Sequence, residues 1–228
     1  GELIRVHTKP RRYFCGYDWK SLIVHENSDY LILNKPSGIP SHPSVDNQIE
    51  NSLTQTELAT NQKLLISHRL DTTTGGLIVY GKTKDFVKSF NVQIQNHLIQ
   101  KNYVALCETE KTLPQTVIHY MKPSPRAPKE VSPIFTEGWD FCELKVLAQK
   151  KIDADLSWVK IDLLTGRTHQ IRTQMSELGA PLCGDIMYGA KTSWSKNINA
   201  TQQVALRSQM IEFSWNSQTV RYELSEDF

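Results

Sequence analysis

Cysteine is scarce and scattered in this chain: Cys15, Cys107, Cys142 and Cys183 are its four, far apart in 228 residues and with no C-x-x-C pair. That spacing supports neither a disulfide framework nor a zinc knuckle, and reduced thiols in a reducing compartment are expected. The seven histidines form no H-E-x-x-H and no H-x-H, so no metal site is expected. Neither G-x-G-x-x-G nor G-x-x-x-x-G-K-[ST] occurs, which removes the usual nucleotide-cofactor fingerprints. No apolar run reaches the length of a membrane span, and there is no internal repeat or low-complexity tract. A net charge of +2 is too small to announce a nucleic-acid partner by itself. What remains is an ordinary globular composition, 39% hydrophobic and 22% charged, long enough for one large domain or at most two small ones. The chain begins at Gly1 rather than methionine, which fits a trimmed targeting segment or upstream domain.

Against these absences stands one dense polar cluster. An apolar segment at 64–66 runs into Ser67-His68-Arg69-Leu70-Asp71-Thr72-Thr73-Thr74-Gly75-Gly76, and a buried-strand pattern resumes at 77–80. His, Arg and Asp in a turn between apolar segments build a core poorly but present a carboxylate beside a cation well. A second cluster is Leu164-Thr165-Gly166-Arg167-Thr168-His169-Gln170-Ile171-Arg172. Here a strand ends, glycine turns the chain, and a helix begins with cationic residues at an end that attracts anions. His169 and Arg172 share a helical face, away from the Ile171 and Met175 stripe. From spacing alone, a solvated polar helix start is favoured over a binding site. Two basic clusters, Lys9-Pro10-Arg11-Arg12 and the 122–129 stretch, are either phosphate contacts or solvated loops.

Periodicity outlines the elements. Strands are expected at 30–34, 76–81, 101–106, 141–148, 158–164, 204–213 and 220–224. Phe86, Val87, Phe90, Ile94 and Leu98 mark one face of an amphipathic helix. Prolines between 113 and 131 favour loop or edge structure. Thr168 is placed to cap a helix with the stripe Ile171, Met175 and Leu178, ending at Gly179. Many strands without regular β-α-β alternation give an α+β class, with a mainly antiparallel mixed β-sheet flanked by helices and loops.

The first cluster resembles the HRLD-x-x-T-x-G signature of the RluA-type pseudouridine synthases, and the second their T-G-R-x-H-Q-I-R signature. The resemblance extends to Asn34-Lys35-Pro36-Ser37-Gly38, Lys101-Asn102-Tyr103-Val104-Ala105-Leu106, Gly184-Asp185-Ile186-Met187-Tyr188-Gly189 and the closing 206–213 segment. It covers about residues 21–213 and implies a catalytic domain over 21–228. Residues 1–20 then read as a basic linker, the tail of a preceding RNA-binding module. Two positions depart from the family pattern. Gly75 stands where serine is usual and is expected to add backbone freedom; Arg207 stands where histidine is usual and could add a phosphate contact.

The resemblance implies isomerisation of uridine to pseudouridine in RNA. Asp71 would be the catalytic carboxylate, Arg172 its pairing arginine, and Tyr103 the ring that lies against the target base and moves a proton. The base must leave its stack to be reached. Arg69 would enter the space left behind, Leu206 would line the uracil pocket, and His68, Arg167 and His169 would complete the substrate contacts. Glu26, Asp46 and Asp185 read as loop or capping residues. No cofactor and no metal are implied; the partner is an RNA stem-loop, ribosomal or transfer, with no membrane partner. A monomer in the cytoplasm is expected, or in an organelle if a leader was removed. Target choice is assigned to the loops 46–65 and 121–131. The rival classes are a silent RNA-binding paralogue and a glycosidase-like hydrolase, and the latter would need a second carboxylate.

Overall fold

The computed structural model describes residues 9–194 and 203–225. Among them, eleven strands join in one sheet, with three α-helices packed on it. The sheet begins β1 (Ile23–Glu26), β2 (Tyr30–Lys35) and β4 (Gly75–Gly81), then β10 (Leu206–Trp215) and β5 (Gln100–Glu108). It continues through β9 (Leu156–Leu163), β8 (Asp140–Asp153), β6 (Thr116–Met121) and the edge strand β7 (Val131–Ser132). β3 (Leu65–Ile66) pairs with β4, and β11 (Gln218–Glu223) with β10. All pairs are antiparallel except β4 with β10. The expected sheet class is therefore present.

β2 over Tyr30–Leu33 and β4 over Leu77–Tyr80 are apolar at successive positions because both sheet faces are covered there. Alternation sends Leu31, Leu33, Ile78 and Tyr80 into the main core. It sends Tyr30, Ile32, Leu77 and Val79 to the other face, where α2 (Lys84–Gln95) closes over them with Phe86 and Phe90. Burying each of those two rings is worth about 1.5–3 kcal/mol. Thr83 caps α2 by accepting the Phe86 N–H, and the helix stops at Asn96 with His97 left-handed. Leu98, expected on the helix stripe, lies beyond that stop and is 66% exposed.

Two further expectations need correction. The 46–65 stretch is not all loop: α1 (Ser52–Thr60) occupies it, fixed by the Asn51 side chain accepting the Thr54 N–H. Ser52 also bonds Tyr80 at 2.8 Å, so buried polar anchors replace the missing apolar stripe. Thr168 does not cap α3 (Gln170–Glu177); His169 is the N-cap, left-handed at φ 60°. The Gln170 amide oxygen accepts from Thr165 Oγ1 and Arg167 N, both at 2.9 Å, and so serves the turn in place of a Thr168 hydroxyl. Residues 170–175 are all buried, so the second cluster is not a solvated helix start.

Candidate active site

Asp71 sits on a loop held from below by the segment after β2. Ser37 Oγ donates to Thr73 O at 2.5 Å, and Gly38 N donates to Thr72 O at 2.8 Å. Ser41 Oγ donates to Leu70 O at 2.8 Å and accepts the Leu70 N–H at 3.0 Å. Beneath them Lys35, 1% exposed, donates to Ile39 O at 2.7 Å and Pro36 O at 2.9 Å, with Thr72 O at 3.5 Å. Burial pushes the Lys35 ammonium down to about 7, with the charge of Asp71 opposing. A neutral amine has two N–H groups, enough for the two short bonds. The sequence offers a strand and the family-like Asn34-Lys35-Pro36-Ser37-Gly38 run here, with no role attached to either. The segment is in fact the cradle of the acid loop.

The two departures from the family pattern face each other across the parallel pair, Arg207 against Gly75 and Ser208 against Gly76. A Cβ on Gly75 would lie 3.3 Å from Lys35 O, so this glycine serves close backbone approach rather than the expected freedom. Gly76 has φ +102°, and a Cβ there would fall 2.2 Å from Ser208 O. Arg207 does not line the cavity of Asp71; it donates to Ser225 O at 3.4 Å and borders a second cavity of about 460 Å³.

The main cavity, about 570 Å³, brings the two sequence clusters together. Asp71, 18% exposed, is its single acidic residue among the described residues. Arg69, Lys101, Arg167 and Arg172 supply four cations around it. Tyr103, His68, His169 and Leu206 also line it, so every candidate site residue converges on one volume. The size suits one nucleotide, and the charge balance suits an anionic substrate.

Arg172 is the best-held side chain of the site. It is 5% exposed, and its Nη1 lies 3.9 Å from Asp71 Oδ2. Its closer partner is Asp185: Nε donates to Oδ2 at 2.7 Å and Nη2 to Oδ1 at 2.8 Å. Tyr188 places its ring 5.0 Å from the guanidinium carbon. Burial opposes the charged form of Arg172, but the hydrogen bonds and charge of Asp185 outweigh it and raise its pKa. Asp185, expected in a loop or capping role, is instead a fully buried counter-ion, 1% exposed. Its place beside Tyr188 in the G-D-x-x-Y-G run was the available signal.

The histidines are committed elsewhere. His68 Nε2 accepts the Val79 N–H at 2.9 Å, and its ring stacks on Phe90. Burial, aided by Lys101, lowers it to about 3, so it is neutral. His169 Nε2 lies 3.9 Å from Asp71 Oδ2, and its Nδ1 bonds Tyr188 Oη at 2.9 Å. Burial lowers its pKa although the Asp71 charge pulls the other way.

Tyr103, buried on β5, has its phenol pushed up by burial and by Asp71, so it stays protonated at neutral pH. Lys101, absent from the sequence-derived site, lines the cavity with its pKa lowered by burial while Asp162 opposes. Arg167 is half-exposed and paired with Asp140 at 3.2 Å. Arg69 is exposed and has no ion pair among the described residues.

Fold and site together define a pseudouridine synthase-like domain. The solved structure of Human RNA Pseudouridylate Synthase Domain Containing 4 superposes with a TM-score of 0.68 at 18% identity, covering 91% of this chain and 89% of that one. The family described as RNA pseudouridylate synthase matches residues 29–177. RNA pseudouridine synthase 6, chloroplastic, of Arabidopsis thaliana is 38% identical over 213 residues, 82% of this chain and 45% of that protein. The mitochondrial tRNA pseudouridine(32) synthase of Saccharomyces cerevisiae is 31% identical over 183 residues, 77% of this chain and 38% of that protein. The chain belongs to the RNA pseudouridylate synthase family. It spans under half the length of those two relatives.

Proposed function

We propose that this chain isomerises uridine to pseudouridine in RNA, with Asp71 as the reacting carboxylate. The observation that carries the reading is the one acid among four cations in a nucleotide-sized cavity, beside the ring of Tyr103. The N1–C1′ bond of uridine breaks, the uracil turns, C5 joins C1′, and the proton lost from C5 is balanced by one gained at N1. No electrons or atoms enter or leave, so the residues need only hold, orient and stabilise charge. Asp71 meets the developing positive charge at C1′ as nucleophile or electrostatic stabiliser. Arg172, shared with Asp185, holds a positive charge 3.9 Å from the Asp71 carboxylate. Tyr103, held as a neutral phenol, stacks on the base and offers a donor rather than a base. Arg69, without an ion pair among the described residues, fills the place of the flipped nucleotide; Leu206 packs on the uracil. Arg167 and His169, with the ring of His68, border the substrate, and Arg167 exchanges Asp140 for a phosphate. A hydrolase reading is less well supported: among the described residues no second carboxylate lines the cavity, and Asp185 is buried against Arg172.

The substrate we propose is a stem-loop of transfer or ribosomal RNA, bound by a monomer whose catalytic domain is 21–228. The chloroplastic and mitochondrial names of the relatives support an organelle beside the cytoplasm as the compartment. The test is a pseudouridine map of total RNA from cells with and without the gene, restored by wild type or Asp71→Asn. Sites lost and rescued by wild type alone establish the activity and name the RNA. Rescue by Asp71→Asn refutes the role of the acid. In vitro, Asp71→Asn is expected to abolish turnover and retain RNA binding; a silent paralogue would show no turnover in either form.

A further inference from the structure

Several basic residues that stand out in the sequence are paired with acids of the same chain. Arg12 holds Glu50, Lys122 holds Glu130, and Arg167 holds Asp140. Helix α2 differs. Lys84, Lys88, Asn91 and Gln95 recur every three to four residues, so they share one face, turned away from buried Phe86 and Phe90. All four are exposed, and neither lysine has an acidic partner among the described residues. Asp85, the acid nearest in sequence, sits on the adjoining flank of the helix. Beside this face runs a groove walled by Leu65 and Ile66 of β3 and by Val87 and Val92 of α2. Ile66 is 45% exposed and Val92 47%, so two apolar side chains lie open next to two unpaired cations. Asn91 and Gln95 line both this groove and the Asp71 cavity, so the two adjoin.

We propose that the groove between α2 and β3 carries the RNA strand that leaves the Asp71 cavity. Lys84 and Lys88 neutralise its phosphates, and Ile66 and Val92 pack on a base or ribose. The inference rests on the RNA reading of the cavity. From Lys84 to Gln95 the helix rises about 16 Å, room for a few nucleotides of extended strand. Charge selects this occupant: an anionic backbone offsets unpaired lysines, whereas a second copy docked about a two-fold axis would set lysine against lysine. Phosphate contacts of this kind position the strand and leave sequence choice to the cavity.

The test titrates a fluorescein-labelled RNA stem-loop with a uridine-rich loop at several salt concentrations. It uses wild type, Lys84→Glu/Lys88→Glu, and Lys150→Glu/Lys151→Glu on exposed β8, which changes net charge equally. The α2 variant is expected to bind roughly tenfold more weakly. Its slope of log affinity on log salt should fall by about 1.4, two contacts at about 0.7 each. The β8 variant should stay near wild type, and thermal unfolding should show all three folded. Unchanged binding by the α2 variant, equal losses in both variants, or no affinity of wild type for the probe would overturn the proposal. Pseudouridine in the same samples, read by mass spectrometry, scores the activity separately. Wild type that binds through α2 yet forms none removes the catalytic reading and leaves the groove. Wild type that forms it while the α2 variant binds as well removes the groove alone.

Discussion

Neutralising Asp185 would show how far the cavity depends on one buried ion pair. The carboxylate is 1% exposed and takes two guanidinium bonds at 2.7 and 2.8 Å. Asp185→Asn keeps the volume but leaves one acceptor and turns an NH₂ toward the N–H groups of Arg172. Removing one partner of a buried pair costs about 3–5 kcal/mol, because the other charge stays behind unpaired. Arg172 keeps the Tyr188 ring at 5.0 Å and Asp71 at 3.9 Å, which places the expected loss at the low end. A loss of about 3 kcal/mol lowers Tm by about 6–12 °C in a domain of this size. Urea unfolding should show a lower midpoint with an unchanged m value. Adding Arg172→Met removes the stranded charge, so the double variant should lose less than the sum of the two single losses. A loss below about 1 kcal/mol, the range of exposed pairs, would refute the dry, bidentate pair described here. So would strict additivity in the cycle.

Two further perturbations test the scaffold. Unfolded lysine titrates near 10.4, whereas burial brings Lys35 to about 7. Between those values the unfolded state holds a proton that the folded state has released. Lys35 therefore makes stability rise with pH across that window, by at most about 1.4 kcal/mol per pH unit. Urea unfolding of Lys35→Met from neutral to alkaline pH should lack that rise, and an unchanged slope would show that Lys35 stays charged. Gly76→Ala should cost more than about 2 kcal/mol, since positive φ is joined by a Cβ 2.2 Å from Ser208 O. Gly138→Ala has φ +78° and nothing within 4 Å, so it isolates the strain alone at about 1–2 kcal/mol. Equal calorimetric losses at the two sites would deny the clash.

Seven of the eleven strands were legible from apolar patterning, as in the alternation of Leu156–Leu163; β1, β3, β6 and β7 were not, β6 lying among the prolines of 113–131. Asp71, Tyr103 and Arg172 were legible through the motifs around them, and they do converge on one cavity. Helix α1 was not, because Leu53 is its sole buried apolar residue and polar anchors hold the rest. The Asp185 counter-ion was hidden for another reason: an acid in a glycine-bounded loop reads as solvated until the fold places Arg172 against it. Lys35 shows the same limit. Its three carbonyl neighbours are backbone atoms, about which side-chain pattern carries no information.

The placement of β10 sets when the cavity can exist. It lies between β4, which follows the Asp71 loop, and β5, which carries Tyr103, although it is made after both and after α3. Its register pairs Arg207 and Ser208 with Gly75 and Gly76 on one side, and with Val104 and Tyr103 on the other. A ribosome that has delivered the acid, the tyrosine and the arginine has therefore not yet delivered the strand that joins them. Until Leu206 and its successors are made, the loop of Asp71 and the strand of Tyr103 lack the pairing partner that β4 and β5 share in the finished sheet.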